Sequence, residues 1–471
     1  MQHNNPVELI DRRDELARLV RLAKDPEGGL AVLWGRRRVG KTRLLLEWCR
    51  TDGLYWVADG SAAQLQLRNF AETVATKLPG FADVDYRDWA SLLGRLAKEA
   101  RAAGFRGPLV IDELPYLLAT SPELPSVLQR FIDHDAKKAA LVVALAGSSQ
   151  RMMQGLALSP DAALYGRAKE LFKLEPLLPG YIAEALGHAD ARQSVRAHAT
   201  WGGIPRYWEL AAQFPDLRRA VDALVLDPMG VLHEEPTRLL LEETPPAIAL
   251  RPILDVIGAG AHRVSEIAAR VGQPATSLSR PLTRLQELDL VIRETPFGEA
   301  DRGTKRALYK LGDPFLALWF ALVAPKRSAL AQLPRAGRLR LLDAVFPRLV
   351  AAAWENLCRR AVPKLVEGLG VQYGPAARYW SAGGKEWDVV ARAVDGSQLL
   401  LGEAKWTDAA LTAGSVQHAI QGLIAKGIPP LRHAARSDLQ YVLFVPERPK
   451  GKLALSNTKV LDARDVLEAL R

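Results

Sequence analysis

The first third of the chain contains three short, uninterrupted apolar runs: Leu30-Ala31-Val32-Leu33-Trp34, Pro108-Leu109-Val110-Ile111, and residues 140–146. Apolar runs of this length, without polar alternation, predict strands buried on both faces, as in parallel sheets. Each run stops at polar residues: Gly35, then Asp112-Glu113, then Gly147-Ser148-Ser149. In an open parallel sheet the C-terminal strand ends border the ligand crevice. These polar ends are therefore candidate site residues.

The period changes further along. Residues 264–272 read as a short amphipathic helix, and Gln273-Pro274-Ala275 as a turn. Residues 276–285 then repeat apolar side chains at Leu278, Leu282 and Leu285, a helical spacing. Pro281 fits that helix only within its first turn. Residues 288–293 and Tyr309-Lys310-Leu311 predict the two strands of a hairpin. In the last third, Trp387-Asp388-Val389-Val390 and residues 399–405 read as strands. Alternation there puts Glu403 and Lys405 on one face, and a hairpin would bring Asp388 to them. A helix over 351–360 carries Glu355. A helix over 414–426 and a strand over 440–445 follow.

The first polar end carries chemistry. Gly35-Arg36-Arg37-Arg38-Val39-Gly40-Lys41-Thr42, followed by Arg43 and an apolar helix pattern, is the strand–GxxxxGK[ST]–helix context of a phosphate-binding loop. Gly35 and Gly40 let backbone N–H groups converge on phosphates, and the helix N-terminus adds partial positive charge. Lys41 is expected to reach the β- and γ-phosphates of ATP, and Thr42 to ligate Mg²⁺. Asp112 is expected to hold the same metal and Glu113 to polarise the attacking water. The Gly147-Ser148-Ser149 run resembles the first sensor position of AAA+-like ATPases, which implies that Ser148 or Ser149 senses the γ-phosphate; the alternative is a serine pair capping the next helix.

With 471 residues, the chain is too long for one ordinary core. Its 48% hydrophobic and 25% charged residues are those of a globular protein. A net charge of +10 tilts the partners toward nucleic acid. Cys49 and Cys358 are too few for a disulfide framework or a cysteine zinc site, which fits a reducing cytoplasm. The first residues lack the basic and apolar regions of a signal peptide, and no apolar stretch is long enough to span a bilayer.

From about residue 7 to 206 the chain resembles the archaeal-type ATPases, P-loop proteins near the AAA+ and STAND classes. The resemblance rests on residues 9–16, the phosphate loop, Asp112-Glu113, and Leu164-Tyr165-Gly166-Arg167 followed by Gly202-Gly203-Ile204-Pro205-Arg206. In the opening segment Asp11 stands where glycine is usual, and Arg13 where glutamate is usual. The resemblance implies a lid motif at Pro205. It also implies that Arg167 completes the γ-phosphate site, in cis or from a neighbouring copy in a homo-oligomer. The helix–turn–helix and hairpin resemble a winged helix. Thr276, Ser277, Ser279, Arg280, Thr283 and Arg284 would then face DNA, with Arg302, Lys305 and Arg306 on the wing. The C-terminal pattern is similar to PD-(D/E)xK nucleases. That implies Asp388, Glu403 and Glu355 as metal ligands and Lys405 as the catalytic lysine, with Gln417 and Gln421 nearby or on the surface.

The expected architecture is α/β throughout. A P-loop ATPase core (1–180) is followed by a helical lid (181–245), a winged helix (246–325) and a nuclease-like domain (326–471). The expected function is ATP hydrolysis coupled to DNA binding and metal-dependent cleavage. The alternative is a nucleotide-controlled switch that binds DNA and cuts nothing.

Overall fold

The computed structural model describes residues 9–243, 247–300, 304, 306–381, 384–431, 438–450 and 457–471. Two compact units are present: Met1–Pro176 with Glu243–Pro245, and Leu177–Glu242 with Pro246–Arg471.

In the first unit, β1 (Gly29–Trp34), β2 (Leu54–Val57), β3 (Leu109–Asp112), β4 (Val142–Gly147) and β5 (Ala168–Lys173) form one parallel sheet. Its order is β2-β3-β4-β1-β5. The apolar runs become β1, β3 and β4, and every residue of β4 is buried. The pleat sorts β1 between two layers. Leu30, Val32 and Trp34 pack with Phe70 and Trp89 on one face, while Ala31 and Leu33 pack with Leu19, Leu44 and Trp48 on the other. Helices Ala63–Ala75 and Trp89–Ala103 supply the first layer, and Arg13–Ala23 and Lys41–Cys49 the second. A parallel sheet covered by helices on both faces, with a glycine loop leaving its β1, is the P-loop NTPase fold.

The second unit opens with helices from Ile182–Leu186 to Glu235–Glu242. Helices Arg251–Gly258, Val264–Val271 and Ser279–Glu287 come next, then the antiparallel hairpin of β6 (Val291–Glu294) and β7 (Leu308–Leu311). Pro281 occupies the third residue of its helix, where no intrahelical bond needs its missing N–H. One continuous apolar core runs through all these elements, from Trp201 and Trp208 to Leu282, Leu285 and Trp319. A 27-residue helix, Arg335–Ala361, leads to the last sheet. That sheet contains β8 (Ala377–Trp380), β9 (Glu386–Arg392), β10 (Gln398–Ala404), β11 (Asp438–Phe444) and β12 (Thr458–Leu461). Its order is β12-β11-β10-β9-β8, antiparallel from β8 to β10 and parallel from β10 to β12. Among the described residues no helix is long and apolar enough to cross a membrane.

Candidate functional site

The phosphate loop closes on itself in a form only its glycines allow. A Cβ on Gly35 would lie 2.5 Å from the Leu174 carbonyl oxygen, just past β5. Gly40 has φ 99°, a left-handed conformation that favours glycine, and it caps helix Lys41–Cys49. Lys41 is 5% exposed, and its Nζ donates to the carbonyls of Gly35 (2.9 Å) and Arg36 (3.3 Å). Burial pushes its pKa down from the ordinary lysine range, and the carboxylates of Glu113 and Asp112 push back. Arg36, Arg37 and Arg38 are half-buried, Val39 is fully buried, and Thr42 and Arg43 are exposed. Arg37 donates to the Tyr116 hydroxyl at 3.3 Å.

Two residues not picked out from sequence support this loop. Arg12, 4% exposed, donates to the carbonyls of Val39 (3.1 Å) and Glu175 (2.6 Å), tying the loop to the segment after β5. Tyr55 on β2 donates to Asp112 Oδ2 at 2.7 Å. The same oxygen accepts the Thr42 hydroxyl at 2.9 Å, and Oδ1 accepts the Glu113 N–H at 2.8 Å. Asp112, 1% exposed, is thus oriented by neutral donors alone among its hydrogen bonds. Burial and the adjacent carboxylate push the Tyr55 hydroxyl well up, so it stays a donor. The only sequence cue to Tyr55 is its place on the strand beside β3.

Glu113 sits beyond the strand at φ 51°. Its Oε2 accepts the Ser148 hydroxyl at 2.8 Å and the Ser148 N–H at 3.3 Å. The sequence left Ser148 and Ser149 open between sensing and capping. The structure separates them: Ser148 contacts Glu113, while Ser149 occupies the N-cap of helix Gln150–Ala157 without a side-chain capping bond.

Arg167 requires a correction. It precedes β5, and Leu30 near the start of β1 pairs with Ala168. Because the strands are parallel, Arg167 lies at the end of the sheet opposite the phosphate loop, about 13 Å of strand away from Trp34. Its guanidinium is held by both oxygens of Asp133, at 2.8 and 3.0 Å. It cannot complete the γ-phosphate site of its own chain. The nearby Glu170 pairs with Arg18 instead. Pro205 belongs to the second unit, at the first turn of helix Pro205–Ala211.

In the second unit the β9–β10 hairpin does bring Asp388 and Glu403 together. Gly402 pairs with Val389, and the Ala404 N–H donates to Asp388 Oδ2 at 3.0 Å. Burial, the charge of Glu403 and, less strongly, that of Glu355 push the Asp388 carboxyl up to about 6, against the Ala404 hydrogen bond. Glu403, 7% exposed, receives Lys405 Nζ on Oε1 at 2.7 Å and Lys426 Nζ on Oε2. Burial opposes the charge on Lys405, but the bond to Glu403 together with the charges of Glu403, Asp388 and Glu355 outweighs it and holds the amine above its usual range. Glu355 faces Arg359 at 3.6 Å, and Arg359 donates to the Asp388 carbonyl at 3.0 Å. Lys426 ends helix Ala413–Ala425, and sequence gave no reason to single it out. Among the described residues no group of three or more His, Cys, Asp or Glu side chains is arranged to hold a metal ion. With Glu403 held by Lys405 and Lys426, and Glu355 beside Arg359, these two carboxylates are charge-compensated by side chains. Gln421 is exposed and Gln417 half-buried.

The hairpin after helix Ser279–Glu287 packs against this last sheet. The Phe297 N–H donates to the Arg378 carbonyl at 2.8 Å, and its ring joins Tyr379, Trp387 and Leu423. Glu294 pairs with Lys310 at 2.6 Å and faces Arg378 and Arg359. Arg306, expected to reach DNA, instead pairs with Glu299 at 2.6 Å and lies over the Tyr379 ring at 5.5 Å. Ion pairing and cation–π contact turn it toward the sheet. Arg302 and Lys305 lie outside the described residues. Thr276 and Ser277, in the 3-10 turn Ala275–Leu278 before the helix, and Ser279, Arg280 and Thr283 on it are exposed, and Arg284 is half-buried.

Residues 9–209 match an ATPase domain found predominantly in Archaea. Residues 319–418 match a family described as archaeal and bacterial proteins of unknown function. An uncharacterized protein of Methanocaldococcus jannaschii is 26% identical over 404 residues, 85% of this chain and 88% of that one. Similar solved structures include a Walker-type ATPase of Pyrococcus abyssi (19% identity, 66% of this chain and 96% of that one, TM-score 0.49). Another is the ORC2 protein of Aeropyrum pernix in ADPNP–ADP complexes (14% identity, 73% and 96%, TM-score 0.46). The parallel sheet, the Lys41 loop and the matched segment together make the first unit an ATP-binding ATPase domain of the P-loop fold.

Proposed function

We propose that this protein is an ATP-hydrolysing switch whose first unit works with Mg²⁺ and whose second unit engages DNA without cutting it. The observation that carries the reading is the Asp112–Thr42 contact beside the Glu113–Ser148 pair. A buried carboxylate and a hydroxyl, 2.9 Å apart at the start of a helix, are the hard oxygen donors Mg²⁺ takes. Bound there, the ion would neutralise charge on the β- and γ-phosphates. Lys41 would leave its loop carbonyls for the phosphates. Glu113 would accept the proton of the attacking water, and Ser148 would hold Glu113 in place until then. Pro205 is proposed as part of a lid. A role for Arg167 is left only on a neighbouring copy, and it would first require breaking the Asp133 pair.

The order of three helices and a hairpin, with an exposed row of Ser279, Arg280 and Thr283, supports a winged helix that binds phosphate backbone. The net charge of +10 supports the same partner. ATP hydrolysis measured with and without DNA, on wild type and Glu113→Gln, tests the coupling. Stimulation by DNA that disappears with Glu113→Gln supports it, and DNA-independent turnover counts against it. Salt-sensitive DNA retention should weaken when Arg280 and Arg284 are replaced.

The convergence of Asp388, Glu403 and Lys405 favours a second reading, metal-dependent cleavage with Glu355 as a further ligand. Nicking of plasmid DNA with Mg²⁺ or Mn²⁺, lost in Asp388→Ala, would support cleavage and remove the switch.

A further inference from the structure

Two carboxylates of this cluster, Glu403 and Glu355, already have their cations. Both oxygens of Glu403 are taken by ammonium groups, Lys405 on Oε1 and Lys426 on Oε2. Lys426 also donates to the Glu386 carbonyl at 2.9 Å, so its Nζ is fixed between β9 and β10 on the side where Asp388 lies. Arg359 stands against Glu355 and the Asp388 backbone. A divalent ion draws on carboxylate oxygens that carry uncompensated charge. Here the charge of Glu403 is met on both oxygens by side chains of the chain itself, and that of Glu355 by Arg359. The lysine is not a loose surface group: its backbone N–H closes helix Ala413–Ala425, and its side chain is 27% exposed against 10% for Glu403.

We propose that Lys426 takes the place of a divalent cation in this cluster, so that the second unit keeps the strand pair of a metal-dependent nuclease as a metal-free, ion-paired core. An ammonium has one charge and only donates. It can hold Glu403 beside Asp388, but it cannot lower the pKa of a bound water or coordinate a phosphodiester as a metal does. The proposal extends the non-cleaving reading and rests on it. It can fail separately, because its test reads metal binding and not DNA retention or nicking.

Mn²⁺ titration of the full chain without nucleotide, followed by electron paramagnetic resonance and calorimetry, is the test. Signal removed by Glu403→Gln belongs to the second unit. The wild type is expected to show no Glu403-dependent Mn²⁺ site. Lys426→Met is expected to gain one, at least about tenfold tighter than any Glu403-dependent binding in the wild type, as follows from deleting one adjacent positive charge. The gained site should vanish in Lys426→Met/Glu403→Gln, and Lys426→Arg should stay metal-free. A Glu403-dependent Mn²⁺ site in the wild type overturns the proposal, whatever the variants do. So does a Lys426→Met protein that melts cooperatively yet gains no site. If Lys426→Met does not fold, Lys426→Gln replaces it under the same criteria.

Discussion

Both units bury a carboxylate near the C-terminal end of a strand, Asp112 on β3 and Glu403 on β10, and they surround it in opposite ways. Asp112 accepts two hydroxyls and one backbone N–H, from Thr42, Tyr55 and Glu113. Glu403 accepts two ammonium groups. Neutral donors fix the direction of a carboxylate and leave its charge available to an incoming cation. Ammonium groups fix it equally well and neutralise it. The first environment suits a site that must bind a metal and release it. The second suits a core that must stay closed.

That contrast can be broken at several points. The largest effect is expected at the phosphate loop. Glu113→Gln should lower ATP turnover roughly a thousandfold and keep ATP binding. Lys41→Ala should lose both, as read by steady-state hydrolysis and fluorescent-nucleotide titration. Equal loss of binding in the two variants would place Glu113 in the cradle instead.

Arg12→Ala comes next. It leaves the Val39 and Glu175 carbonyls without their buried donor. A loss of about 2–3 kcal/mol is expected, seen in thermal melts of the first unit, with part recovered by nucleotide.

Asp388 probes the other side of the contrast. Its folded pKa of about 6 lies above its ordinary 3.8. The folded chain therefore binds that proton more tightly than the unfolded chain. The resulting stability is complete below pH 3.8 and is lost as pH rises to about 6. Asp388→Asn should remove this decline, so that above pH 6 it exceeds the wild type by on the order of 2 kcal/mol in urea. Parallel pH curves for the two proteins would show that Lys426 and Lys405 already compensate Asp388 in full.

The smallest effect is expected for Tyr55→Phe. Asp112 keeps two of its donors, so turnover should fall about tenfold with a higher half-saturating Mg²⁺ concentration. A change in turnover with no change in Mg²⁺ dependence would make Tyr55 a packing residue only.

The parts of this site that could be read in advance are those whose partners are close in the chain. The loop from Gly35 to Thr42 was legible because its glycines, lysine and threonine act through consecutive backbone. Asp112-Glu113 was legible as the polar end of an apolar strand. Arg167 was misplaced because β5, Ala-Lys-Glu-Leu-Phe-Lys, mixes polar and apolar residues and gives no strand signal. Without β5 nothing says which end of the sheet the arginine occupies. Tyr55, Arg12 and Lys426 were given no role of their own because the partners named here lie 23 to 163 residues away. Arg306 was read as part of a free wing because a hairpin pattern does not say what its outer face packs against.

The amino-acid sequence by itself therefore determined the buried strands, the phosphate loop, the strand-end acids and the pairing of Asp388 with Glu403. Each follows from local periodicity or from a motif whose working parts are contiguous. Only the tertiary structure decided where the charges meet: Tyr55 on Asp112, Arg167 on Asp133, Arg306 over Tyr379, and Lys426 on Glu403. The physical reason is that a side chain's charge is compensated by whatever the closed chain brings within a few ångströms. Spacing along the sequence carries no record of that distance.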